Sequence, residues 1–292
     1  MRLITRADFD GIVCGVLLTT KEKIDRFLFV EPKAIQDDEI KVSSDDIIAN
    51  LPYHPQAHLW FDHHITNQIP FPFRGNFRLA PSAARVVYEY YPPGSFTQYQ
   101  EMVEEADRID SGELSINEVL HPEGYVLLAF TLDPHTQDDE AYWIRLISLL
   151  REKPFSVVMD DSEIRYRCRQ VLEDFKVYYR LILNHTRQVG NVTITDFRKV
   201  DFRGKENRFL VYSLFPEANV SVRIFPDYHQ KGRVGISVGK NIFNKTSRVN
   251  VGELLSHYGG GGHPGAGSCR VPAENAEEVL QQIIQALKEN EG

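Results

Sequence analysis

The stretch Leu59-Trp60-Phe61-Asp62-His63-His64 constrains this chain more than any other. An apolar run rich in aromatics reads as a short buried strand. It stops where a carboxylate and two imidazoles begin. In open α/β sheets, ligands sit in the crevice beyond the carboxyl ends of the strands. Asp62, His63 and His64 placed there point to a divalent-cation site. The alternative is a strand end whose polar groups satisfy one another.

A second cluster favours the cation. Asp8-Phe9-Asp10-Gly11 follows the strand candidate Arg2-Leu3-Ile4-Thr5 and precedes an apolar helix, Ile12 to Leu18. Two carboxylates on a strand-to-helix turn can point to one side, and Gly11 permits a sharp turn and an open helix N-terminus. Oxygen ligands suit Mg²⁺ or Mn²⁺, and an imidazole shifts the preference toward Mn²⁺. A third cluster, Gly259-Gly260-Gly261-Gly262-His263-Pro264-Gly265-Ala266-Gly267, follows a helix-like run from Val251 to Tyr258. Consecutive glycines let backbone N–H groups crowd around a phosphate oxygen, and His263 adds a donor. A flexible hinge is the alternative, but a hinge has no need of a histidine among glycines.

In this order the three clusters resemble the DHH/DHHA1 phosphoesterase superfamily. Asp8-Phe9-Asp10-Gly11 resembles its first motif, Asp62-His63-His64 the motif that names it, and Gly260-Gly261-Gly262-His263 the signature of its small C-terminal domain. The resemblance spans nearly the whole chain. It implies hydrolysis of phosphate esters or anhydrides with divalent metals, without choosing the substrate. It also implies two domains facing across a cleft, with His263 reaching toward the metal site.

Departures from the family pattern are as informative. A histidine usually precedes the first motif and binds one metal; here Ile4 and Arg6 stand at the candidate positions. An aspartate that bridges two metals in the family is replaced by Asn50, and the link from Asn50 to His63 is too short for the usual helix. The family's second-metal ligands map to Asp10, His63 and Asp107, with Asp110 one helical turn away as the substitute. Arg6 beside Asp8 would be a built-in cation and a planar fork for phosphate. The implied site therefore has one metal, or a weak second one held by Asp8. An eroded site that binds nucleotide or phosphate without turnover is the competing reading. His64 would contact the phosphoryl oxygens, Asp62 would orient an imidazole, and His54 is a candidate replacement ligand. The other histidines, His58, His121, His135, His185, His229 and His257, read as surface or satisfied side chains.

Composition sets the remaining bounds. A chain of 292 residues with 42% hydrophobic and 25% charged residues suits a two-domain globular protein. No stretch reaches the apolar length of a membrane span, and the N-terminus has no secretory pattern. Cys14, Cys168 and Cys269 are too dispersed for a disulfide framework and suit a reducing cytoplasm. A net charge of −8 and a pI near 5.7 argue against a processive nuclease on long polyanions. Small phosphorylated substrates or short single-stranded oligonucleotides fit better. Lys240, Lys245 and Arg248, just upstream of the glycines, supply local positive charge; a homodimer remains open.

The pattern along the chain predicts an α/β fold. Strands are expected at Leu3–Thr5, Phe27–Val30, Ile47–Leu51 and Leu59–Phe61, in a mostly parallel sheet with helices on both faces. Helices are expected after Gly11 and Pro81 and through most of 97–184, including Tyr142–Leu150 and Ser162–Leu183. In the last of these Ile164, Cys168, Val171, Leu172, Phe175, Tyr178, Tyr179 and Ile182 form an apolar stripe for packing. A first domain over 1–184 and a second, DHHA1-like α/β domain over 185–292 follow. The second has strands at Val192–Thr195, Phe209–Leu214, Val220–Phe225 and Val234–Val238 and a closing helix at Ala276–Leu287.

Overall fold

The computed structural model describes residues 1–134, 139–227 and 230–289. Five strands form a parallel sheet: β1 (Arg2–Thr5), β2 (Arg26–Phe29), β3 (Asp46–Ala49), β4 (Leu59–Asp62) and β5 (Gly75–Phe77), in the order β2-β1-β3-β4-β5. The order reverses between β1 and β3, which opens a crevice at their carboxyl ends. Asp8, Asp10 and Asn50 leave the sheet there. The loop from β3 to β4 contains no helix, as its length requires.

Helices α1 (Phe9–Lys21), α2 (Pro32–Gln36), α3 (Ala83–Tyr90) and α4 (Gln100–Asp110) accompany this sheet. On one face Ile4, Ile48 and Trp60 are buried with Ile35 of α2. On the other, Phe61 meets Tyr90 of α3 edge-on, with ring centroids 5.0 Å apart. Fully burying such side chains stabilises by roughly 1.5–3 kcal/mol each, so the sheet is a firm platform for its exposed edge. α1 starts earlier than expected, at Phe9, because Asp8 caps it and accepts the Gly11 N–H at 2.9 Å. Gly11 therefore lies inside the first turn. It is needed for close approach: a Cβ there would sit 2.0 Å from the Arg6 carbonyl oxygen.

The chain continues through α5 (Ile116–Leu120), α6 (Gly124–Phe130), α7 (Glu140–Glu152), α8 (Phe155–Met159) and α9 (Ser162–His185). Phe29 of β2 packs on Trp143 of α7, at 5.0 Å. Six residues of the α9 stripe are buried, but Leu172 and Tyr179 are 36% and 39% exposed. Apolar spacing overstated the width of that buried face.

A second, six-stranded mixed sheet comprises β6 (Thr186–Val189), β7 (Val192–Asp196), β8 (Val220–Pro226), β9 (Arg233–Lys240), β10 (Gly261–Gly262) and β11 (Ala266–Pro272), in the order β10-β11-β9-β8-β7-β6. The expected strand Phe209–Leu214 is instead a helix, α10 (Leu210–Leu214). β7 and β8 pair in parallel, so the chain must cross over between them, and α10 forms part of that crossover. α11 (Val251–Ser256) and α12 (Ala276–Glu289) follow. Val222, Ile236 and Cys269 share a core with Leu255 of α11 and Ile283 of α12.

Two compact units divide the chain: Met1–Leu114 with Glu123–Val171, and Ser115–Pro122 with the residues from Leu172 on. The division expected after residue 184 lies at the last turn of α9, whereas the unit boundary crosses that helix at Val171. Residues 115–122 join the second unit, where Asn207 Nδ2 donates to the Val119 carbonyl at 2.8 Å. Among the described residues no helix is long and apolar enough to cross a membrane.

Candidate metal centre

At the end of β4, Asp62 is fully buried and its carboxylate is committed. Oδ1 accepts from His64 Nδ1 at 2.8 Å and Oδ2 from Asn67 Nδ2 at 2.6 Å. This holds the His64 ring with its Nδ1 edge toward Asp62 and its Nε2 edge away from it. His63 is held differently. Its Nδ1 lies 2.9 Å from the Ala80 carbonyl oxygen. A carbonyl only accepts, so in the neutral ring Nδ1 carries the proton and Nε2 the lone pair.

That lone pair faces two carboxylates. His63 Nε2 is 3.8 Å from Asp10 Oδ2 and 3.3 Å from Asp110 Oδ2. It is buried and has no hydrogen-bond partner among the described residues. The ligand atoms of Asp10, His63 and Asp110 all lie within 4.8 Å of one another. Asp62, His63 and His64 form a second such group, but one whose carboxylate already serves His64.

Asp10 is fixed by the start of α3. Its oxygens accept the Ala84 N–H at 2.7 Å and the Ala83 N–H at 2.8 Å. Ser82 caps the same helix, accepting the Arg85 N–H at 3.0 Å. Burial pushes the Asp10 carboxyl well above its ordinary value; Asp110 and Asp8 add to this, and the two N–H bonds oppose it. An orphaned imidazole lone pair and two crowded carboxylates fit a divalent cation, since nitrogen and oxygen donors of this kind suit Mn²⁺ or Mg²⁺. The buried Cys14 thiol, 3.9 Å from Asp10 Oδ1, is pushed up by burial and by Asp10, so it stays protonated and inert.

Asp107 does not join this group. Its Oδ1 accepts from Ser82 Oγ at 2.6 Å, and its Oδ2 takes Arg85 Nε and NH2 at 2.8 and 2.6 Å. Arg85, one turn into α3, captures it. Asp110, the substitute one turn along α4, supplies the carboxylate beside His63 instead.

Asp8 is likewise spent. Oδ1 accepts from Gly11 N and Asn50 Nδ2, both at 2.9 Å, and Oδ2 from Arg6 NH1 at 3.1 Å. Asn50 adopts a left-handed backbone, φ 58°, which asparagine tolerates better than most residues. That turn aims its amide at Asp8. Burial opposes the Arg6 charge, but Asp8 and Glu31 outweigh it and push the guanidinium further above its ordinary value. Sequence reasoning missed Glu31, which grips Arg6 through Nε and NH2 at 3.1 and 3.2 Å. Its place just after a parallel strand beside β1 was the available signal.

His54 turns elsewhere: Nδ1 accepts from Gln56 N at 3.2 Å and Nε2 lies 3.6 Å from Asp38. His58 stands beside Arg74, His121, His185 and His257 are exposed, and His135 and His229 lie outside the described residues.

In the second unit the glycine run forms the hairpin β10–β11, packed against α11. The N–H groups of Gly259, Gly260 and His263 donate to Ser256, Leu255 and Ala266 carbonyls at 3.2, 3.0 and 2.7 Å. These amides are therefore used within the fold, not left open for an anion as expected. Gly262 has φ 150°, and a Cβ there would lie 2.4 Å from the Ala266 carbonyl oxygen. Around Gly261 nothing lies within 4 Å of such a Cβ, so that position faces open space. His263 is exposed at the hairpin turn. Lys240 comes beside it, its N–H donating to the Gly265 carbonyl at 2.8 Å, and Arg248 is exposed before α11.

Residues 191–289 match the model of the DHHA1 domain. Among solved structures, the chain is similar to the pGpG-specific phosphodiesterase PggH of Vibrio cholerae, with 33% identity and a TM-score of 0.82 over 99% of both chains. An exopolyphosphatase-related protein from Bacteroides fragilis shares the fold at 15% identity and a TM-score of 0.59, over 99% of this chain and 92% of that one. RecJ from Thermus thermophilus, solved with Mn²⁺, does so at 12% identity and a TM-score of 0.60, over 99% of this chain and 52% of that one. Comparison with curated protein sequences gives no match.

Proposed function

Because the chain belongs to the DHH/DHHA1 phosphoesterase superfamily, we propose that it hydrolyses a short linear dinucleotide of the pGpG type, using a divalent cation held by Asp10, His63 and Asp110. The observation that carries the metal assignment is the buried His63 Nε2, aimed at two carboxylates and without a hydrogen-bond partner among the described residues. A divalent cation there, Mn²⁺ or Mg²⁺, supplies Lewis-acid charge to the phosphoryl group and acidifies water for attack.

The protein's own residues do the rest. Ala80 fixes the His63 tautomer, and the α3 N-terminus fixes Asp10, so the ligands are set before the cation arrives. Asp62 holds His64 with its Nε2 edge turned away from the carboxylate, where the protonated ring would donate a hydrogen bond to a phosphoryl oxygen as charge develops. Arg6, gripped by carboxylates, keeps a permanent positive charge beside Asp8. Asp8 is saturated by donors, which supports a site with a single cation. The similarity to the Vibrio enzyme over the full chain supports the dinucleotide. The negative net charge also favours a small substrate over a long strand.

The test is a panel of linear dinucleotides, longer oligonucleotides and polyphosphate, assayed with Mn²⁺ and after chelation. Diguanylate should be turned over fastest, and chelation should abolish turnover. A preference for polyphosphate would overturn the substrate. Binding of nucleotide with no turnover of any phosphoester would leave a degenerate binding protein.

A further inference from the structure

β1 and β2 are parallel neighbours with Thr5 opposite Phe29, and the Val30 N–H continues the pairing by donating to the Thr5 carbonyl at 3.0 Å. The next residues, Arg6 and Glu31, therefore leave the sheet side by side at its carboxyl edge. Glu31 is the N-cap of α2, yet its side chain makes no capping bond. Aspartate or serine would cap there. The longer glutamate instead reaches the Arg6 fork, accepting from Nε at 3.1 Å and NH2 at 3.2 Å. Asp8 takes a third N–H, from NH1 at 3.1 Å. A guanidinium has five N–H donors. The other two, one on each terminal nitrogen, have no protein acceptor among the described residues.

We propose that Glu31 is a positioning residue that clamps Arg6 so that its two remaining N–H groups bind non-bridging oxygens of the substrate's phosphoryl group. The inference rests on the phosphoesterase reading above. Its physical basis is orientation. Released from Glu31, the guanidinium would be tied to Asp8 through NH1 alone and could turn about that bond. Its remaining N–H groups would then have no fixed direction. Held by Glu31 through Nε and NH2 as well, it keeps its plane fixed and the two remaining N–H groups aimed one way.

Chemical rescue tests the clamp. Arg6→Ala should lower kcat on the order of 10–100-fold, the range for charge-assisted hydrogen bonds. Millimolar guanidinium chloride should restore part of it, whereas urea, neutral and of similar shape, and sodium chloride at equal ionic strength should not. In Arg6→Ala/Glu31→Ala the rescue should vanish. Glu31→Gln, which keeps the size but weakens the fork, should lower kcat in the native background with only a small fall in the melting temperature. A readout independent of turnover is available in metal-free protein: guanidinium should raise the melting temperature of Arg6→Ala but not of the double variant. Equal rescue or equal thermal shift in the two variants, or rescue by urea, would overturn the clamp. Failure of the phosphoesterase reading appears separately, as absence of turnover in the unaltered protein.

Discussion

Replacing Asp110 by asparagine should separate metal binding from stability. The ligand atoms of Asp10 and Asp110 lie within 4.8 Å. Two unit charges at that distance repel by about 3.5 kcal/mol at an effective dielectric of about 20. The Asp110 side chain is 29% exposed, so solvent screening reduces this to roughly 1–2 kcal/mol. The new amide can also donate to His63 Nε2, now 3.3 Å from the Asp110 oxygen, and so satisfy the orphaned lone pair. Metal-free Asp110→Asn should therefore melt about 2–8 °C higher than the metal-free parent near pH 8, at roughly 2–4 °C per kcal/mol. Its Mn²⁺ affinity should fall on the order of 100-fold or more, beyond the loss seen for residues that merely support ligands. Scanning calorimetry with and without Mn²⁺, and titration calorimetry, measure both. Asp107→Asn is the control: it weakens the Arg85 pair, destabilises by roughly 1–3 kcal/mol and keeps Mn²⁺ affinity. Undiminished Mn²⁺ binding by Asp110→Asn, or its loss in folded Asp107→Asn, would refute the reasoning.

Two further outcomes are expected. The folded Asp10 carboxyl titrates well above its ordinary value of 3.8, so its contribution to stability is full below 3.8 and is lost as pH rises through the folded value. Metal-free protein should thus lose melting temperature on going from about pH 5 to about pH 8, more steeply than Asp10→Asn; a parallel pH profile for the two would contradict this. Gly262→Ala, at φ 150° with a backbone oxygen 2.4 Å from the added carbon, should cost roughly 1–3 kcal/mol. Gly261→Ala, with open space around it, should melt like the parent and raise KM if substrate approaches the hairpin there; equal destabilisation of both variants would show that the close approach is misjudged.

The parallel sheet was legible because its strands are short apolar runs punctuated by polar residues at their carboxyl ends. β5, Gly75–Phe77, was not, since three residues carry too little pattern. Tyr212 and its neighbours looked like a strand because a short, largely buried helix and a buried strand have the same composition. At the site, His63 and Asp10 were legible from local motifs. The choice between Asp107 and Asp110 was not. It turns on Arg85, which lies on another helix and claims Asp107, a contact that no local pattern encodes. Glu31 escaped for the same reason: only the parallel register of β1 and β2 brings it to Arg6. The glycine run suggested an anion loop; Gly260, Gly262 and Gly267 instead serve close backbone packing within a hairpin, while Gly259, Gly261 and Gly265 have open space around them.

The most direct test of the central claim is anomalous diffraction at the manganese edge from crystals soaked in Mn²⁺. The account predicts a single ion about 2.1 Å from a carboxylate oxygen of Asp10, His63 Nε2 and a carboxylate oxygen of Asp110, with Arg6 still bound to Asp8 and Glu31. An ion ligated by Asp107, a pair of ions sharing Asp8, or no anomalous peak at His63 would contradict it.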